Sequence, residues 1–200
     1  MKPAVIGFRV KSGWAATVLL EGPATSPTVL DSRTILLSDP DEPSSRQPFH
    51  AGTGVAQTDR GRLKQLVSLV GRCAHRSVAD LLAEYRADGR AVRGAAIVVG
   101  SDVDPERIAN PHIRAHASEG RLFRTALEKA LADCDLASAI TLERQVIEQA
   151  AQTLRRETAE LRSAVISLGR PVTGPWRAEQ KTAALAAWTR LASSGPRGQL

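Results

Sequence analysis

The stretch VIGFRVKSGWAATVLLEG, residues 5–22, limits what this chain can fold into more than any other. Ile6, Phe8 and Val10 alternate with Val5, Gly7 and Arg9, the two-residue period of a strand with two distinct faces. Lys11-Ser12-Gly13 interrupts the alternation with a turn in which Gly13 is free to take a positive φ. Residues 14–20 then return as a second strand. Gly22-Pro23 and Ser26-Pro27 close it, and residues 28–37, rich in β-branched side chains, predict a third strand. Three sequential strands on short links predict an antiparallel meander.

The rest of the chain alternates helix and strand. Residues 38–57 hold three prolines and little periodicity, which predicts a mobile loop. Its Gly52-Thr53-Gly54 lacks the Gly-Lys-Ser/Thr of a phosphate loop. From Asp59 an amphipathic helix carries Leu63, Leu66, Val70, Ala74, Val78, Leu81 and Tyr85 on one face, with Arg62, Arg72 and Arg76 largely off it. The apolar run GAAIVVGS, residues 94–101, predicts a buried central strand. Asn110-Pro111 is a capped helix start, and that helix should reach about residue 133. SAITL, residues 138–142, predicts a fifth strand. A single long helix is expected over 143–168, with a seam at Ile147, Ala151, Leu154, Thr158, Leu161, Val165 and Leu168. An alanine-rich helix over 178–191 ends the chain. Residues 1–192 are expected to form one α/β domain with a long C-terminal helical region, and residues 193–200 a disordered tail.

The order β-β-β-α-β-α-β-α-α, the residue 5–22 hairpin and EQKTAALAAW, residues 179–188, together resemble the RNase H-like superfamily, and within it the Holliday-junction resolvases. The resemblance implies a mixed sheet: three antiparallel strands, then alternating helices and strands. It also implies carboxylates on the first strand, near the end of the fourth and on the last helix, holding two metal ions. This sequence departs from that pattern. The first-strand position is Arg9, residues 4–20 contain no acid, and the late position is Lys181 or Gln180. Only Asp102 and Asp104 remain, so two-metal nuclease chemistry is not expected. Arg9 is read in two ways. It fills the vacated metal position as an ion pair with Asp102 or Glu119, or it forms an anion site with Lys11 and Lys181.

NPHIRAHASEGRLFR, residues 110–124, sets His112, His116 and Glu119 on one helical face that continues as the apolar stripe Phe123, Leu127 and Leu131. A polar pocket is expected there, beside Asp102 and Arg9. The cluster is read as a satisfied polar network, as a metal site of His112, His116 and Glu119, or as a general acid–base pair of His116 oriented by Glu119. No cofactor is expected, because dinucleotide and Walker fingerprints are absent.

Charge decides what remains. The formal net charge is +6, with eight bases to four acids between residues 58 and 100 and nine to five from 136 onward. Nucleic acid is the expected partner, bound through Arg9, Lys11, Arg62, Arg72, Arg76 and Lys181. The expected function is therefore that of a catalytically altered RNase H-like protein that binds nucleic acid. The alternatives are an enzyme acting on a small or phosphorylated substrate through the His/Glu pocket, and a structural or assembly protein that dimerises through the 143–168 helix. No apolar run reaches membrane-span length, and the N-terminus lacks a signal-peptide core. Cys73 and Cys134 show neither C-x-x-C nor zinc spacing, which points to reduced thiols and a cytoplasmic location.

Overall fold

The computed structural model describes residues 3–52 and 54–193. Its elements run β1 (Ala4–Lys11), β2 (Trp14–Glu21), β3 (Thr28–Leu36), β4 (His50–Gly52), β5 (Val55–Ala56), α1 (Arg60–Ala87), β6 (Val92–Val99), α2 (Pro111–Asp133), β7 (Ser138–Leu142), α3 (Val146–Leu154), α4 (Thr158–Leu168) and α5 (Ala178–Ser193). Five strands form one sheet in the order β3-β2-β1-β6-β7. The meander pairs antiparallel, while β1–β6 and β6–β7 are parallel. No helix is long and apolar enough to cross a membrane among the described residues.

Helices cover both faces of the sheet, which is why β1 and β6 are buried on both sides. One core layer sets α1 and α2 against Ile6, Phe8, Val10, Ala95, Ile97 and Val99. The other sets α3, α4 and α5 against Val5, Val18, Ala96 and Val98. In this second layer α5 lies directly on β1. A Cβ on Gly7 would stand 2.0 Å from the carbonyl oxygen of Ala183 and 3.0 Å from Ala187 Cβ. Glycine on the strand and buried alanines at 183, 184, 186 and 187 on the helix are the two halves of that close approach.

Two expectations need correction. Residues 143–168 are not one helix: a 3₁₀ turn, Glu143–Gln145, leads into α3, and Arg155 at φ 52° separates α3 from α4. The seam residues Leu154, Leu161 and Val165 are buried in the chain's own core against α5, so the helix surface expected to make a homodimer is already covered. Residues 38–57 are not an unstructured loop either. They hold a 3₁₀ turn, Pro43–Arg46, capped by Glu42, and the small β4–β5 hairpin. Thr53, the centre of Gly52-Thr53-Gly54, and residues 194–200 of the expected tail lie outside the described residues.

Candidate functional site

The parallel strands β1 and β6 end beside each other, and a cleft of about 510 Å³ opens over their carboxyl ends. Arg9, Lys11, Asp102, His116, Arg121 and Arg124 line it. Arg9 is 4% exposed because it shares the α5-facing side of β1 with Val5 and Gly7. Its Nε donates to Glu143 Oε1 at 2.9 Å and its Nη2 to Glu143 Oε2 at 2.5 Å, a two-bond fork, and Nη1 donates to the Val10 carbonyl. Glu143 comes from the turn that directly follows β7, and β7 runs parallel to β6, so the sheet itself delivers this carboxylate.

The Arg9 partner is therefore Glu143, not Asp102 or Glu119. Asp102 pairs with Arg124, and Glu119 lies in the α1–α2 layer, on the other side of the sheet from Arg9. Lys11 stands 3.8 Å from Glu179 at the start of α5, and Arg121 stands 3.3 Å from Asp104. Each cation of the cleft thus has its own acid. Lys181 lines a different groove, with Glu143, Arg144 and Arg162, so the expected anion site of Arg9, Lys11 and Lys181 is not assembled. On α1, Arg62 is held by Glu42 at 2.6 Å and Arg72 donates to Ser68 Oγ, while Arg76 is exposed.

The hydrogen bond from Arg9 holds the Glu143 carboxyl below its ordinary value of 4.5, against the opposing effect of burial. A folded-state pKa below the unfolded one stabilises the fold at pH values above 4.5, and that contribution is lost as pH falls through the folded value. The stability difference between wild type and Glu143→Gln, followed by urea unfolding, should accordingly be constant near neutrality and narrow on acidification below the ordinary carboxyl value of 4.5.

The histidine cluster differs in membership from the expected one. The side chain of Asn110 caps α2 by accepting from the backbone N–H of His112 and Ile113, and Pro111 fixes the first turn. His112 and His116 follow one turn apart, with their Nε2 atoms 3.2 Å from each other. Glu119, 1% exposed, accepts from His50 Nδ1 at 2.6 Å and lies 3.7 Å from His116 Nδ1. His50, carried by β4, completes the group: one nitrogen from each of the three rings lies within 4.8 Å of the others. Sequence reasoning missed His50, since its only signal is a single histidine in a proline-rich stretch, 62 residues before His112.

No protein-family model matches this sequence, and no curated protein matches it. Solved structures do. Thermus thermophilus RuvC aligns over 96% of this chain and 95% of its own, at 15% identity and a TM-score of 0.57. A structure of T. thermophilus RuvC in complex with Holliday junction substrate aligns over 96% and 94%, with the same identity and score. The fold is that of RuvC. The fold is RNase H-like, and the metal-holding carboxylates that the sequence resemblance implies would stand at the ends of β1 and β6. The residues present do not fit one. A buried guanidinium occupies the centre, and Asp102, Asp104, Glu143 and Glu179 are each engaged by a cation. Among the described residues, the only group of three or more potential ligands is His50, His112 and His116.

Proposed function

We propose that this protein binds nucleic acid on a RuvC-like frame and does not cleave it by two-metal chemistry. The observation that carries the second half is the Arg9–Glu143 fork. It sets an internal ion pair at the β1 position where the resemblance implies a metal-binding carboxylate. Mg²⁺ is held by carboxylates and waters, and a guanidinium at the same place repels it. Binding is supported by α1, where residues 60–79 contain five Lys or Arg and no acid. Arg60, Lys64, Arg72 and Arg76 are exposed there, whereas Arg62 is engaged by Glu42. The T. thermophilus RuvC with the same fold is described in complex with Holliday junction substrate, which makes branched DNA the first ligand to try.

Affinity for a four-way junction and for plain duplex should fall steeply with salt, with a log–log slope of roughly −0.9 per phosphate neutralised. Changing Lys64, Arg72 and Arg76 together to Gln should weaken binding and make the slope shallower while leaving the melting temperature unchanged. No binding at low salt sinks the reading. With Mg²⁺ or Mn²⁺ the purified protein should leave both DNAs intact. Cleavage that disappears in Asp102→Asn overturns the non-nuclease half alone.

A further inference from the structure

We propose that His50, His112 and His116 bind one transition-metal ion, Zn²⁺ by preference, with Glu119 as the positioning residue behind them. The site lies in the α2 layer, apart from the Arg9–Glu143 pair, and does not depend on the nucleic-acid reading.

Four observations converge. His112 and His116 sit at i and i+4 on a helix start fixed by the Asn110 cap and Pro111, which gives two imidazoles on one face. Their Nε2 atoms are 3.2 Å apart. Two nitrogens bound to one tetrahedral Zn²⁺ at 2.0–2.1 Å stand about 3.3–3.4 Å apart, so this pair already spans nearly the edge of such a site. His50 donates Nδ1–H to Glu119, which leaves Nε2 as its free lone pair, and that atom is buried with no hydrogen-bond partner. A hydrogen bond between His112 and His116 alone would satisfy two of the three rings and leave His50 Nε2 stranded at the usual desolvation cost. Finally, Glu119 is a fully buried carboxylate facing Nδ1 of both His50 and His116. A carboxylate behind an imidazole, fixing which nitrogen is presented, is the usual support of a metal-bound histidine.

Imidazole ligands suit Zn²⁺, Fe²⁺, Cu²⁺ and Ni²⁺ and not Mg²⁺. Three protein ligands leave a fourth position open, and all three histidines line a cleft of about 560 Å³ from which water or an oxyanion can reach it. The ion would also tie β4 to α2. His116 borders the Arg9 cleft as well, so the two openings adjoin at this side chain.

Protein stripped with a chelator should take up one Zn²⁺ per chain in competition with a chromophoric chelator. Co²⁺ in its place should give the intense visible bands of a four-coordinate nitrogen site, without the thiolate charge-transfer band that Cys73 or Cys134 would add. His112 is exposed, so His112→Ala should fold normally and weaken Zn²⁺ binding by more than about 100-fold. Glu119→Gln, which keeps an acceptor for His50, should weaken it about 10- to 100-fold, with the melt of the metal-free form confirming the fold. Sub-stoichiometric Zn²⁺, an octahedral Co²⁺ spectrum, or equal affinities for wild type and His112→Ala overturns the proposal.

Discussion

Gly7→Ala lowers the stability of this fold by about 3 kcal/mol or more, the upper end of what overpacking a core costs. The reason is what the new methyl meets. At Gly7 a Cβ would lie 2.0 Å from the Ala183 carbonyl oxygen and 2.8 Å from its carbon. Both are backbone atoms inside a helix, so no rotamer change relieves the clash and α5 as a whole must lift from β1. Lifting it disturbs Trp188, which is buried and donates Nε1–H to the Ala24 carbonyl at 2.6 Å, and separates Lys11 from Glu179. Against a total stability of about 5–15 kcal/mol this is a large fraction. The loss runs against the gain of about 0.4–1 kcal/mol that Gly→Ala ordinarily brings by restricting the unfolded chain. Urea unfolding measures it. A second change, Ala187→Gly, should recover little, because it removes the 3.0 Å contact and leaves the carbonyl in place. A Gly7→Ala variant as stable as wild type would mean that α5 does not lie on β1 as described.

Gly7 also shows where sequence reading reaches its limit. The alternation of Ile6, Phe8 and Val10 is local, and it predicts the β1–β2 hairpin that the sheet contains. The Asn110-Pro111 start and the SAITL strand are local as well, and both elements fall where their residues place them. The 143–168 region misleads because its apolar stripe keeps phase across the break. Leu154 and Leu161 flank a left-handed Arg155, and no glycine marks that turn. The site was less legible than the fold. Arg9 stands where the resemblance implies an acid, but which carboxylate answers it depends on β7 bringing up Glu143, 134 residues away. Glu179 stands one residue before Gln180 in the stretch compared with the family pattern, and only the α5–β1 packing makes it the partner of Lys11. His50 reaches Glu119 across 69 residues through a hairpin that composition alone renders as loop.

The Arg9–Glu143 pair should respond asymmetrically to the loss of its two members. The Arg9 side chain is 4% exposed, whereas that of Glu143 is 45% exposed. Removing Arg9 leaves a carboxylate that water can reach, and Arg9→Met keeps an unbranched chain in the space over β1. That variant should cost no more than about 1.5 kcal/mol, because replacing a buried charge by an apolar side chain of similar shape is often neutral. Removing Glu143 has the opposite consequence. The guanidinium stays under α5 with the Val10 carbonyl as its remaining acceptor, and an unpaired buried charge is expensive. Glu143→Ala should therefore cost about 3 kcal/mol, near the low end of the range for breaking a buried pair, since Glu143's own position admits some water to the exposed fork. The double variant Arg9→Met/Glu143→Ala should regain most of that loss, which is the signature of a cation stranded by its partner's removal. Urea unfolding of the four proteins at neutral pH decides it. If Arg9→Met proves the more damaging single change, the guanidinium is packing or binding something other than Glu143, and an internal ion pair does not account for Arg9 at the end of β1.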